Sequence, residues 1–156
     1  MLAGFDGLLV QGRMSRQALV EAFSIMDKPV LLAMQTFREG MDLADDRLRL
    51  LVLDKLPFPN ISDLDVQIRM SAVTMSGKDS FRNYILPEAV IALRQSFGRL
   101  IRRERQRGLF VLGDPRVRSH DYGSEFLHSL PSMPILTSND EASVYFQDIL
   151  RESSSS

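Results

Sequence analysis

Gln95, Arg99 and Arg102 lie in QSFGRLIRRERQRG (95–108), a stretch that holds five arginines in a chain whose formal net charge is only -1. Spacings of four and three residues place the three side chains on one face of a helix, and Gly98 removes a side chain beside them. A planar amide and two guanidinium forks suit phosphate oxygens, because guanidinium donors are planar, bidentate and permanently charged. The spacing therefore predicts a local site for a phosphate-rich ligand. Arg103, Arg105 and Arg107 fit the ordinary role of helical arginines, a solvated face.

An α/β pattern must position that face. DGLLVQG (6–12) reads as a short buried strand, and KPVLLAM (28–34), LRLLVLDKL (48–56) and RGLFVLGD (107–114) as further strands. Between them, SRQALVEAFSIM (15–26) reads as a helix capped by Ser15, with Ala18, Leu19, Ala22, Phe23 and Met26 on one face. LPEAVIALRQSFGRLIRR (86–103) is the strongest helical segment, with Pro87 in its first turn. One or two helices are expected between 57 and 81, and others over 121–129 and 139–151. Strands alternating with helices predict a mostly parallel sheet covered on both faces, in one domain over 1–151 with a frayed tail at 152–156. In such sheets ligands bind beyond the carboxyl ends of the strands, which directs attention to QTFREGMDL (35–43) and DKLPFPNISD (54–63).

Composition narrows the chemistry. A length of 156 residues, 44% hydrophobic and 25% charged, suits one packed domain rather than a disordered chain. A pI near 6.1 argues against a generally basic nucleic-acid coat, so phosphate contacts must be local. With no cysteine, disulfides, thiolate zinc sites and cysteine nucleophiles are excluded within the sequence. The absence of a long apolar run or a signal-like N-terminus leads us to expect a cytoplasmic location without membrane contact.

QSFGRLIR resembles motif VI, Gln-x-x-Gly-Arg-x-Ile-Arg, of superfamily 2 helicases, in particular the DinG/XPD-type branch. TFREGMDL (36–43) resembles motif V of that branch, departing from it at Arg38, where Trp is usual, and at Met41, where Val or Ile is usual. DKLPFP, ILPEAVIALRQ and YGSEFLHSLP resemble the connecting and closing segments, in order, from about residue 8 to residue 150. The resemblance implies the second RecA-like domain of a DinG-type helicase, a three-layer domain whose first strand is absent from this sequence. The missing strand would leave an open edge, which predicts either marginal stability or self-association through the sheet.

In that family this domain lends arginine fingers to ATP bound elsewhere, so Arg99 and Arg102 would contact the γ-phosphate, with Gln95 in the same contact. Glu39, Gly40, Asp42 and Gly98 would stand on the nucleotide side. Gln35 and Thr36, with the backbone near Gly40, would face DNA phosphates. Lys55 and Phe58 are further DNA-contact candidates, although Phe58 beside two prolines could equally close the core. Asp114 and Arg116 resemble the Asp-x-Arg that follows the last core strand, and could equally hold a turn. The cofactors implied are ATP and Mg2+, bound mainly by a P-loop domain in cis or in trans. The partner substrate is single-stranded DNA, in ATP-driven 5′ to 3′ movement and DNA repair.

The motor's own phosphate and magnesium motifs are missing. AVTMSGKD (72–79) comes nearest to a P-loop but ends in Asp79 where Ser or Thr is required, and reads as a helix end followed by a turn. DEAS (140–143) spells an Asp-Glu box but lacks a preceding strand, and Ser138 with Glu141 instead forms a capping box. His120 and His128, without a carboxylate or cysteine cluster, predict no metal site. The chain is thus expected to be inactive alone. A non-catalytic nucleic-acid-binding or regulatory module, or one subunit of a split motor, are the alternatives.

Overall fold

The computed structural model describes residues 7–34, 48–103 and 106–153. Its architecture is α/β and RecA-like, with short parallel strands among helices. It divides into two compact units, one ending at Leu48 and one beginning at Arg49.

The first unit is a strand, a helix and a parallel strand. Strand β1 (Leu8–Val10) pairs with β2 (Val30–Leu32) in the register Leu8 to Val30. Parallel partners need a crossover, supplied by helix α1 (Arg16–Ile25). Ser15 caps α1 as expected, its hydroxyl accepting from the Ala18 N–H at 3.2 Å. Leu19 and Phe23 are buried with Leu9, while Ala22 and Met26 pack against them.

The second unit pairs β3 (Leu50–Leu53) with β4 (Leu109–Leu112), again parallel, with Leu50 opposite Leu109. The chain between them carries α2 (Leu64–Met75) and α3 (Leu86–Leu100). After α2, Ser76 and Gly77 form the turn expected at AVTMSGKD, with Gly77 at φ +79, a conformation that glycine adopts without strain. A π-helical turn, Phe81–Ile85, leads directly into α3. Pro87 accounts for it: the ring has no N–H to give to the Asn83 carbonyl and crowds it, and a wider turn relieves both.

Helix α3 buries Leu86, Ala89, Leu93, Ser96 and Leu100. The Ser96 hydroxyl, inside the core, donates to the Ala92 carbonyl at 2.8 Å. Leu86, Ala89 and Leu93 join Leu56, Tyr122 and Phe126 in the main cluster. After β4 come α4 (Arg116–Ser119), a short helix without a counterpart in the sequence reading, then α5 (Gly123–His128) and α6 (Asn139–Ser153). Gly123 is required by close approach, since a Cβ there would stand 2.1 Å from the Val117 carbonyl oxygen. The capping box at the start of α6 is present: Glu141 N–H donates to the Ser138 hydroxyl at 3.2 Å, and the Glu141 carboxylate accepts from the Thr137 N–H at 2.9 Å.

Candidate functional site

Helix α3 turns one stripe to solvent, and three of its members are Arg94, Gln95 and Gly98, with Ile91 one turn earlier. A shallow depression lined by Ile91, Arg94 and Gln95 opens on this stripe. Arg99, one turn after Gln95, is half-buried at the edge of the stripe. On the opposite side, Phe97 meets Phe110 of β4 edge to face, with ring centroids 5.6 Å apart, which fixes the rotation of the helix about its axis.

Gly98 stands in the middle of this face, and a Cβ built on it meets no heavy atom within 4 Å. Glycine inside a helix costs about 0.5–1 kcal/mol relative to alanine. Among the described residues no packing contact at Gly98 compensates for that cost.

The expected helix to residue 103 requires a correction. It ends at Leu100, and Ile101 is extended, with φ -122 and ψ 104. Leu100 is wholly buried beneath Gly108, where an added Cβ would come within 2.7 Å of it. Beyond that point the Arg102 N–H donates to the Gln106 side-chain oxygen at 2.9 Å instead of to a helical carbonyl. Arg102 is therefore exposed on the segment that follows α3 and does not continue the Gln95–Arg99 face. Gln95, Gly98 and Arg99 share the helix; Arg102 comes from the turn beyond it.

At the carboxyl end of β3, Lys55 is exposed. Phe58, for which the sequence leaves base stacking and closing the core both open, is partly buried and packs against the core cluster. Its ring packs 5.9 Å from Phe81, 5.8 Å from Tyr122 and 5.7 Å from Phe126, so aromatic contacts already occupy it. The Arg116 guanidinium lies 5.3 Å from the centre of the same ring. Gln35, Thr36, Glu39, Gly40 and Asp42 lie outside the described residues.

Asp114 and Arg116 act on the structure itself. The buried Asp114 carboxylate accepts from the Leu56 N–H at 2.8 Å, the Arg116 N–H at 3.0 Å and the Arg116 guanidinium at 2.6 Å. Pairing with Arg116, then the two N–H bonds, holds its carboxyl well below the usual carboxylate range against the cost of burial. Asp114 thus ties the segment after β4 to the segment after β3, one residue from Lys55. The sequence reading found the turn but not this tie, which joins residues 58 positions apart. Among the described residues no group of three His, Cys, Asp or Glu side chains could hold a metal ion. Among them, too, no helix is long and apolar enough to cross a membrane.

Comparison with known proteins identifies the family. Residues 4–133 match the family model of the helicase C-terminal domain. The chain belongs to that family. A relative in Escherichia coli K12, the ATP-dependent DNA helicase YoaA, is 40% identical over 127 residues, 81% of this chain and 20% of the relative. The Haemophilus influenzae YoaA is 39% identical over 125 residues, 80% of this chain and 20% of its own length. A Staphylococcus epidermidis protein, the 3′-5′ exonuclease DinG, is 37% identical over 123 residues, 79% of this chain and 13% of its length. This helicase C-terminal domain therefore spans a fifth or less of the curated relatives it matches.

Proposed function

We propose that this helicase C-terminal domain is the second motor domain of a DinG-type ATP-dependent DNA helicase, lending Arg99 and Arg102 to ATP held on a P-loop domain. The observation that carries the reading is Gly98. It weakens α3 beside Arg99 on an exposed face, where no described residue packs against it, which supports a face kept clear for a ligand.

The chemistry follows from the side chains. During phosphoryl transfer negative charge spreads over the transferred group, and a guanidinium stabilises it with donors already aimed and charged. Arg99, half-buried on a rigid helix, is pre-oriented for this; Arg102, exposed on the following turn, reaches from a second direction. Gln95 adds an amide one turn before Arg99 and orients the same phosphate. Glu39, Gly40 and Asp42 serve the nucleotide side through motif V. Mg2+ would neutralise phosphate charge from the P-loop domain, since the side chains of the α3 face are donors and cations rather than metal ligands.

Single-stranded DNA is the track in this proposal, moved along 5′ to 3′, with Lys55, Gln35 and Thr36 as phosphate contacts. Lys55 is supported by its position, exposed beyond a strand end and held there by the Asp114 tie. Phe58 takes no part, because its ring closes the core.

Reconstitution tests the reading. The chain alone should not hydrolyse ATP, and addition of a P-loop-bearing helicase domain should produce DNA-stimulated turnover. Hydrolysis by the chain alone, above the level of an Arg99→Ala, Arg102→Ala double variant, would refute it.

A further inference from the structure

What ends α3 also fixes Arg102. Two bonds link the described residues that follow the helix: the Arg102 N–H donates to the Gln106 side-chain oxygen at 2.9 Å, and the Gln106 N–H to the Arg103 carbonyl at 3.0 Å. The residues before Arg102 and after Gln106 are anchored. On the helix side, Ile101 N–H makes the last helical bond to the Phe97 carbonyl at 3.1 Å, and Leu100 is buried against Gly108. On the strand side, the Arg107 guanidinium pairs with Glu152 of α6 and lies 5.2 Å from the centre of the Tyr145 ring. The guanidinium is permanently charged, and pairing with Glu152 raises its pKa further.

The result is an exposed arginine side chain on a backbone held from several directions. An arginine finger requires this, because its contribution depends on guanidinium placement, and a shift of about 1 Å can cost a hundredfold in rate. A side-chain acceptor bound to the finger's own N–H sets the direction in which its Cα–Cβ bond leaves the chain.

We propose that Gln106 is a positioning residue for ATP hydrolysis, capturing the Arg102 amide so that the Arg102 guanidinium is aimed before the nucleotide-bearing domain closes on it. The inference rests on the arginine-finger reading above. Gln106 touches no nucleotide in this account; it acts through Arg102. Only its side-chain oxygen matters, so glutamate, which keeps an acceptor at the same reach, should substitute for it, whereas methionine, similar in size but without that acceptor, should not.

Two measurements test this on the full chain. Backbone amide exchange by NMR reads the bond directly: Gln106→Met should expose the Arg102 N–H, and Gln106→Glu should keep it protected, with unchanged melting temperatures. Equal protection at Arg102 in wild type and Gln106→Met would overturn the inference without reference to any activity. With a P-loop domain added, Gln106→Met should lower kcat roughly tenfold or more at nearly constant KM for ATP, and Gln106→Glu should stay within about threefold of wild type. In an Arg102→Ala background, Gln106→Met should have no further effect. A full-sized further loss there would make Gln106 a general structural residue, and a Gln106→Met variant equal to wild type beside a crippled Arg102→Ala would remove Gln106 alone. An Arg102→Ala variant as active as wild type would instead remove the finger reading.

Discussion

Replacing Gly98 with alanine should stabilise the isolated chain and damage the assembled motor. Gly98 lies two residues before the end of α3, its φ is not positive, and a Cβ there meets no described atom within 4 Å. The methyl group therefore meets no clash, and the backbone loses the excess freedom glycine has in the unfolded chain. The gain should be about 0.5–1 kcal/mol, which corresponds to a rise of roughly 1–4 °C in melting temperature for a domain of this size. In the reconstituted motor the same methyl group stands beside Arg99 on the face that approaches the nucleotide, where displacement of about 1 Å should lower turnover roughly tenfold or more. Thermal melting by circular dichroism and steady-state ATP turnover, on the same preparations, read the two effects. A destabilised Gly98→Ala variant would mean that the glycine serves internal packing. A stabilised variant with undiminished turnover would mean that nothing approaches this face, and the main support for the functional reading would be lost.

Asp114→Ala should destabilise the second unit by about 1–3 kcal/mol, because the buried Leu56 N–H loses its acceptor, and urea denaturation should register the loss. The pH dependence of Asp114→Asn has a definite sign. Because folding lowers the Asp114 pKa, the charged carboxylate stabilises the fold above the ordinary value of about 3.9 and loses that contribution as pH falls below it. The melting-temperature gap between wild type and Asp114→Asn should thus be widest near neutral pH and shrink below about pH 4. A gap that widens in acid would contradict the assignment. Phe58→Ala should cost about 3 kcal/mol of stability through loss of aromatic packing, and a variant that melts like wild type would return Phe58 to the surface. Glu141→Ala should raise amide exchange at Thr137 and Ser138 and fray the first turn of α6, while leaving α3 unchanged.

How far the sequence discloses this domain depends on the range of the interaction. Local patterns carried well: Ser15 as a cap, the Ser138–Glu141 box, the turn at Gly77, and the four strands, because each depends on residues within a few positions. The π-helical turn before Pro87 also has a local cause, but the helical period continues across it and conceals it. The end of α3 is different. The apolar period runs on through Ile101, yet the helix ends at Leu100, which is buried under Gly108, and Gln106 captures the Arg102 N–H beyond it. A motif read as one helical face therefore comes from two pieces of chain. Phe58 shows the same limit: its neighbours in sequence are prolines at a strand end, while its neighbours in space, Phe81, Tyr122 and Phe126, come from distant segments. The Asp114 tie to Leu56 could be suspected only from an acid placed directly after a strand.

Family membership establishes a helicase C-terminal domain, and the central claim beyond it is that Arg102 serves ATP bound on another domain. The most direct measurement is single-turnover ATP hydrolysis by this chain combined with a P-loop helicase domain and single-stranded DNA, comparing wild type with Arg102→Ala. The account predicts no hydrolysis without the added domain and a loss of roughly a thousandfold or more in Arg102→Ala with it, the scale of an arginine finger. A loss of less than about tenfold, with the two domains shown to associate, would contradict it.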